Sequence, residues 1–247
     1  MQESSRGGAI AATAFTLVCL VILIGLGVWQ LERKAWKENL IATMTERFDA
    51  APRDLPPRAD WPGLVPDKDE YRRVRFSAEF IAGEEALVYA AGSGVRPDVK
   101  GPGYFVFAPA RLPDGSIIVV DCGFVPPDRK DPSTRAQGQP RGTVDIVGAM
   151  RWPESRGLFT PADDPKANVW YLRDTSAMAQ AKKWGAIAPF YIDQEAPIPP
   201  GGLPLPGKLA VHLPNNHLQY AVTWFGLALG LAGVYAVWLF GRLRRRA

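Results

Sequence analysis

Two transmembrane helices, one near each end, flanking an α+β domain dominated by an antiparallel β-barrel or sandwich: that is the architecture the amino-acid sequence predicts. Three observations predict it. Gly7 to Leu31 and Leu218 to Gly241 contain no charged residue and are apolar almost throughout. Each exceeds the roughly 20 residues that cross a ~30 Å hydrocarbon core as a helix. Between them, apolar residues alternate with polar ones at period two in short runs, as half-buried strands do. Neither a βαβ rhythm nor an internal repeat organises that middle stretch.

The elements follow in order. The first apolar run has two readings, a cleaved signal peptide or a retained anchor. No small-x-small cleavage site follows Val28; the chain runs into Trp29-Gln30-Leu31-Glu32-Arg33, which favours the anchor. The helix continues over Glu32 to Phe48 and ends before Pro52. Asp54 to Asp69, rich in proline and charge, reads as a loop. Val74, Phe76, Ala78 and Phe80 alternate with Arg73, Arg75, Ser77 and Glu79 in a strand. Further strands are expected at Ala86–Ala90, Tyr104–Arg111, Ser116–Asp121, Thr143–Met150, Val169–Arg173, Phe190–Asp193 and Lys208–Leu213. Pro113-Asp114-Gly115 has hairpin-turn chemistry, and Pro126 to Arg141 is a loop by composition. A helix over Thr175–Trp184 would be capped by Asp174 or Thr175 and stopped by Gly185.

The domain boundaries that result are a cytoplasmic tail over 1–8, a first span over 9–31, a periplasmic β-rich domain over 32–216 with a leading helix over 32–48, a second span over 217–241, and a basic cytoplasmic tail over 242–247. Arg242, Arg244, Arg245 and Arg246 put the C-terminus in the cytoplasm by the positive-inside rule. Two spans then return the N-terminus to the same side. Arg33, Lys34 and Lys37 against Arg6 oppose this, but they are mixed with Glu32 and Glu38. Seven residues before the anchor are too few for an Arg-rich presequence, so the expected site is a bacterial inner membrane.

Charge excludes a nucleic-acid partner. The net charge is +4, but Glu32 to Asn216 holds 24 basic and 24 acidic residues, that is 29 less the five arginines outside it and 25 less Glu3. That stretch is neutral, so it offers no basic face. Two cysteines and two histidines exclude a multi-cysteine zinc site or a disulfide framework. Cys19 lies in a span and Cys122 in the domain, so the two are not expected to pair. No G-x-S-x-G, Walker loop, G-x-G-x-x-G or H-E-x-x-H occurs. The carboxylate pairs Asp163-Asp164 and Glu84-Glu85 read as solvated loop residues rather than acid and base. Cys122, between Asp121 and Gly123, reads either as a small strand-end residue or as a copper ligand.

His217 stands at the mouth of the second span. On a helix it shares a face with Tyr220, Ala221, Trp224 and Ala228. That stripe suits a large flat apolar ligand such as haem, held through one neutral imidazole; alternatively His217 is an interfacial residue beside an aromatic belt of Tyr220 and Trp224. His212, off that face, reads as a strand-end surface residue. Gly226 and Gly230 form a G-x-x-x-G, followed by Gly233. They serve close packing of another helix, through Gly25 and Gly27 of the first span or from a partner, or simply reflect membrane-helix composition. Trp29, Arg33, Trp36 and Lys37 share one face past the first apolar core, as an interfacial anchor or as cations for haem propionates.

Five segments in order carry a resemblance: "LGVWQLERKAWKENLI" from Leu26, "YRRVRFSAEF" from Tyr71, "GYFVFAPARLPDGSIIVVDCGFVP" from Gly103, "LFTPADDPKANVWYLRD" from Leu158 and "NNHLQYAVTWFGLA" from Asn215. With two bracketing spans, the chain resembles the Surfeit locus 1 family nearly end to end. The resemblance implies an integral inner-membrane assembly factor for cytochrome c oxidase, not an enzyme. It implies haem A held transiently and helped into oxidase subunit I, with His217 as the axial ligand of the iron. It also places Trp29 and its neighbours beside the haem. The expected partners are oxidase subunit I, haem A synthase and the lipid bilayer. Two alternatives are a cofactor-free scaffold on subunit I and a membrane-anchored copper carrier or enzyme using Cys122. One position departs from the family's pattern: Cys122 stands where the resemblance expects arginine before the glycine of the "GFVP" strand.

Overall fold

The computed structural model describes residues 2–93, 96, 98–139, 142–210 and 215–244, with side chains from residue 10 onward. His212, Arg245, Arg246 and the side chain of Arg6 therefore lie outside the described residues, as does the end of the strand expected at Lys208–Leu213. The chain divides into two compact units, Met1–Ala42 with Leu213–Ala247, and Thr43–His212.

The first unit is made of α1 (Gln2–Asp49) and, from the far end of the chain, α4 (His217–Arg244). Both are long and apolar enough to cross a membrane. Their Ile, Val, Leu and Phe side chains are exposed over most of the surface, Phe15, Val21, Leu229, Val234 and Val237 among them. Apolar surface on that scale belongs in lipid, not in water. The last turns of α1 belong to the second unit. There Phe48 is buried with its ring edge-on to Tyr71 at 5.2 Å, and Arg47 donates to the Glu70 carbonyl.

The second unit is a closed barrel with an outer layer. In order come β1 (Arg53–Asp54), α2 (Pro66–Asp69), β2 (Arg73–Phe80), β3 (Ala86–Ala90), β4 (Gly103–Arg111), β5 (Ile117–Val125), β6 (Thr143–Arg151), β7 (Val169–Trp170), α3 (Thr175–Lys182) and β8 (Ile187–Ala196). The ring runs β2-β6-β8-β5-β4 and returns to β2 through Glu79↔Arg111 and Phe80↔Ala110. β4 can serve two neighbours on one edge because its first half pairs with β3 and its last two residues with β2.

The expected antiparallel arrangement holds only in part, because β5–β8, β1–β2 and β3–β7 are parallel. α3 carries the chain back before β8 starts, so β8 enters beside β5 in the same direction while remaining antiparallel to β6. β7 is two residues rather than five, and Lys208 to Ala210 is not strand. β5 and β8 outrun their expected ends. Both proline-rich loops contain short 3-10 turns, over Arg58–Gly63, Pro127–Arg129 and Pro132–Gly138. The hairpin turn forms as its residues predict. Gly115 takes φ +83, and the Asp114 carboxylate accepts from the Ser116 N–H at 2.9 Å. α3 is capped by Asp174, which accepts from the Ala177 N–H, but it ends at a left-handed Lys183, before Gly185 is reached.

Two apolar cores explain why some strands alternate and others do not. Inside the barrel, Val74, Val106, Ile118, Val120, Ile146, Phe190 and Ile192 are buried together. On the outer face of β3, β4, β5 and β8, Val88, Phe105, Phe107, Val119 and Tyr191 pack with Met178 and Trp184 from α3 and its end. β5 is thus covered on both sides and reads as a nearly unbroken apolar run, whereas β2 is covered on one.

Gly123 shows how tightly the end of β5 is held. It has φ +115, and a Cβ there would run into the Leu205 carbonyl, whose residue pairs with Phe124 through two backbone hydrogen bonds. Gly123→Ala is expected to cost at least about 2 kcal/mol of domain stability. Gly83→Ala, with φ +76 but open space around it, should cost only about 1 kcal/mol. Chemical denaturation of both variants checks this, and equal shifts would contradict it.

Candidate functional site

α1 and α4 meet antiparallel along one line. Thr13 and Tyr235 share a hydrogen bond at 2.7 Å. Farther along, a Cβ on Gly27 would meet the Phe225 ring at 2.6 Å, so a larger residue there would push the ring aside. At the far end Gln30 Oε1 lies 2.7 Å from His217 Nδ1. α1 leaves this unit where α4 enters it, which is why these two residues can meet.

The atom facing the imidazole at this contact is an amide oxygen. An amide oxygen only accepts, so the Nδ1–H of His217 donates and Nε2 is left with its lone pair when the ring is neutral. A ring held by its second nitrogen is how metal-bound histidines are oriented. His217 is half-buried. The donor chemistry therefore suits a haem iron, and the room for a flat ligand is restricted to one flank. Ala221 and Ala228, on the line of helix contact, are 1% and 6% exposed, so that part of the expected stripe is already covered. Tyr220 is exposed and Trp224 half-buried on the flank.

The remaining expected site residues lie on α1 around Gln30. Trp29 is half-exposed beside it. Arg33, one turn on, stacks its guanidinium 3.9 Å over the Trp36 ring. Lys37 is half-buried another turn on, and Lys34 pairs with Glu38 at 2.7 Å. Gly226, Gly230 and Gly233 of α4 face open space, so the G-x-x-x-G does not serve the contact with α1; of Gly25 and Gly27, only Gly27 does. Gln30 was not among the expected residues. Its signal is a lone uncharged polar side chain closing an apolar run.

Cys122 is buried, with its thiol toward the Val120 carbonyl at 3.6 Å. Burial, with the Asp121 and Glu85 charges, pushes the thiol up, so it stays protonated. Among the described residues no group of three His, Cys, Asp or Glu is placed to hold a metal. Both cysteines are free thiols. The adjacent acidic pairs have structural partners. Glu84 accepts from the Trp184 indole, Glu85 pairs with Arg135, Asp163 with Arg156, and Asp164 accepts from the Lys166 N–H.

A different carboxylate pair is buried. Asp121 and Asp193 are register partners on parallel strands β5 and β8, facing the outer core. Asp121 Oδ1 accepts from the Gly123 N–H, while Asp121 Oδ2 and Asp193 Oδ1 find no partner among the described residues. Arg151 approaches Asp193 at 3.8 Å. Desolvation first, then the Asp193 charge, raises Asp121 to about 8; Arg173, the Gly123 N–H and Arg96 oppose this without cancelling it. Asp193 is also raised, by desolvation. Burial of two carboxyls in register on neighbouring strands thus favours a proton on Asp121.

A stability consequence follows with a definite sign. Unfolded carboxyls lose their proton near pH 4, so between about 4 and 8 the folded state binds the extra proton and stability falls as pH rises. The slope is at most about 1.4 kcal/mol per pH unit and vanishes above the folded value. Denaturant midpoints at pH 6 and pH 8 should show that loss, and Asp121→Asn should remove most of it. A midpoint that rises from pH 6 to pH 8 would refute the protonated pair.

Comparison with known proteins covers both units. The SURF1 family profile matches residues 17–229. The chain is 36% identical to a SURF1-like protein of Monosiga brevicollis, over 98% of this chain and 90% of that one. It is 37% identical to Surfeit locus protein 1 of Rattus norvegicus, over 88% of this chain and 69% of the relative. It is also 37% identical to Surfeit locus protein 1 of Homo sapiens, over 86% and 72%. The profile match includes Gln30 and His217.

Proposed function

Because the chain belongs to the SURF1 family, we propose that it is an assembly factor for a haem–copper terminal oxidase, binding haem A and assisting its insertion into oxidase subunit I, and that it is not itself an enzyme. We place it in the bacterial inner membrane with both termini cytoplasmic, the barrel domain periplasmic, and haem A synthase among its partners. The observation that carries the haem reading is the hydrogen bond between His217 Nδ1 and Gln30 Oε1 at 2.7 Å. Gln30 sets the tautomer and the ring plane, and Nε2 is the atom offered to iron.

When bound, haem A would supply an iron centre that a protein nitrogen can hold, a farnesyl tail and two anionic propionates. Tyr220 and Trp224 give an aromatic flank for the ring, and the exposed apolar surface of α4 accommodates the tail. Arg33 and Lys37, one and two turns beyond Gln30, are the cations on this face toward the water, with Trp29 between the two layers. A hold through the single nitrogen of His217 would permit release, as transfer requires.

A second reading, the cofactor-free scaffold, is favoured by one observation. Gly226, Gly230 and Gly233 present backbone to open space, as a face that receives another helix does. The copper reading of Cys122 is not carried further, for want of a donor set among the described residues.

Protein made in cells that synthesise haem A tests the choice. The purified wild type should show a Soret band, His217→Ala should lose at least tenfold in haem A content, and Gln30→Leu should weaken retention by roughly 10-fold to 100-fold. Haem A retained in full by His217→Ala would refute the ligand assignment. A colourless wild type would favour the scaffold.

A further inference from the structure

The barrel has an open mouth. A cavity of about 740 Å³ is lined by a side chain from each of the five ring strands: Phe80 of β2, Val106 and Ala108 of β4, Cys122 of β5, Val144 of β6 and Gln194 of β8. A strap of prolines, Pro197 to Pro204, forms the outer wall. The volume is in the range of small-molecule sites, and barrel mouths are a common place for them.

Gln194 is the unusual wall residue. Along β8 the inward positions run Ala188, Phe190, Ile192 and then Gln194, so an amide occupies a position where an apolar residue would continue the core. Gln194 is 5% exposed. Its amide orientation is fixed, because its Nε2 donates to the Pro197 carbonyl at 2.9 Å and only the amide nitrogen can do so. Its Oε1 then has no donor among the described residues. Buried acceptors are rarely left so.

The cavity's charges are already matched. Arg135 donates to Glu85 at 2.5 Å and to the Arg129 carbonyl, and Glu84 accepts from the Trp184 indole. Among the described residues lining the cavity, no unpaired cation faces an incoming anion. From these features we propose that the barrel mouth is a binding site for a neutral, largely apolar small molecule carrying a hydroxyl or amide N–H, which donates to Gln194 Oε1. The site lies wholly within the Thr43–His212 unit, and its test requires no haem.

The probe is 9-phenanthrol, an apolar tricycle with one hydroxyl, compared with 9-methoxyphenanthrene, in which the donor is capped. The full chain is held in lipid nanodiscs, and thermal unfolding of the domain is followed against probe concentration, since ligand bound to the folded state raises the midpoint while probe dissolved in lipid does not saturate. 9-Phenanthrol should raise the midpoint saturably, and the methoxy compound should bind about tenfold more weakly. Gln194→Leu should abolish that tenfold preference, and Ala108→Trp, which fills the mouth, should abolish both responses. Equal responses to the two probes in the wild type would overturn the donor contact even if Gln194→Leu does not fold. Absence of a saturable response to either would overturn the site.

Discussion

Two backbone pairings, Glu79 with Arg111 and Phe80 with Ala110, turn the sheet into a ring. Without them the last residues of β2 and β4, beyond the stretches paired with β1 and β3, would leave amides and carbonyls unpaired. With them, the inward residues of five strands face one another and need no second sheet to cover them. The outer face of four strands then remains to be covered, and α3 with Trp184 covers it. Closure thus dictates an inner core, an outer core, and a strand between them, β5, that is apolar on both faces.

The helix pair obeys a different rule. In lipid there is no hydrophobic gain from bringing two apolar helices together, so contact depends on close packing and on polar pairs. Gly27 admits the Phe225 ring, and hydrogen bonds close the line at Thr13–Tyr235 and Gln30–His217. The pair nearer the domain end of α1 is the one with metal-binding chemistry. An imidazole whose Nδ1 is already committed gains a defined Nε2 direction without a carboxylate, which would be a harder group to keep ionised at a lipid boundary.

Much of this was legible in the residues. Uncharged runs announced the two helices, and period-two alternation announced β2, because only one of its faces is buried. β6 was legible from its β-branched Thr143, Val144, Ile146 and Val147, and β3 from the short apolar run Leu87, Val88 and Tyr89. What the residues hid was pairing. The parallel placement of β8 beside β5 depends on where α3 delivers the chain, a long-range matter on which local pattern is silent. β7 shrank because Val169 and Trp170 alone reach an edge, whereas Tyr171 to Arg173 turn away to α3. For the helix site, His217 stood out as a rare residue type at a special place. Gln30 did not, since its meaning comes only from the residue across from it.

The same two strands place unlike chemistry on opposite faces, one residue apart. Asp121 and Asp193 look outward into the layer under α3, and their neighbours Cys122 and Gln194 look inward to the mouth. Alternation along paired strands requires this: once Asp121 is in register with Asp193, the next residues must share the other face. The outward pair sits among Arg151, Arg173 and Arg96, whose charges oppose the cost of burying it. The inward pair lines the mouth together with the Arg135–Glu85 ion pair, and Cys122 adds only a small, protonated thiol. It stands where the family resemblance expects arginine, whose guanidinium would put a charge and greater bulk at the mouth. In this chain Glu85 is matched by Arg135 from the 3-10 turn, and the Gln194 oxygen remains an unanswered acceptor among the described residues.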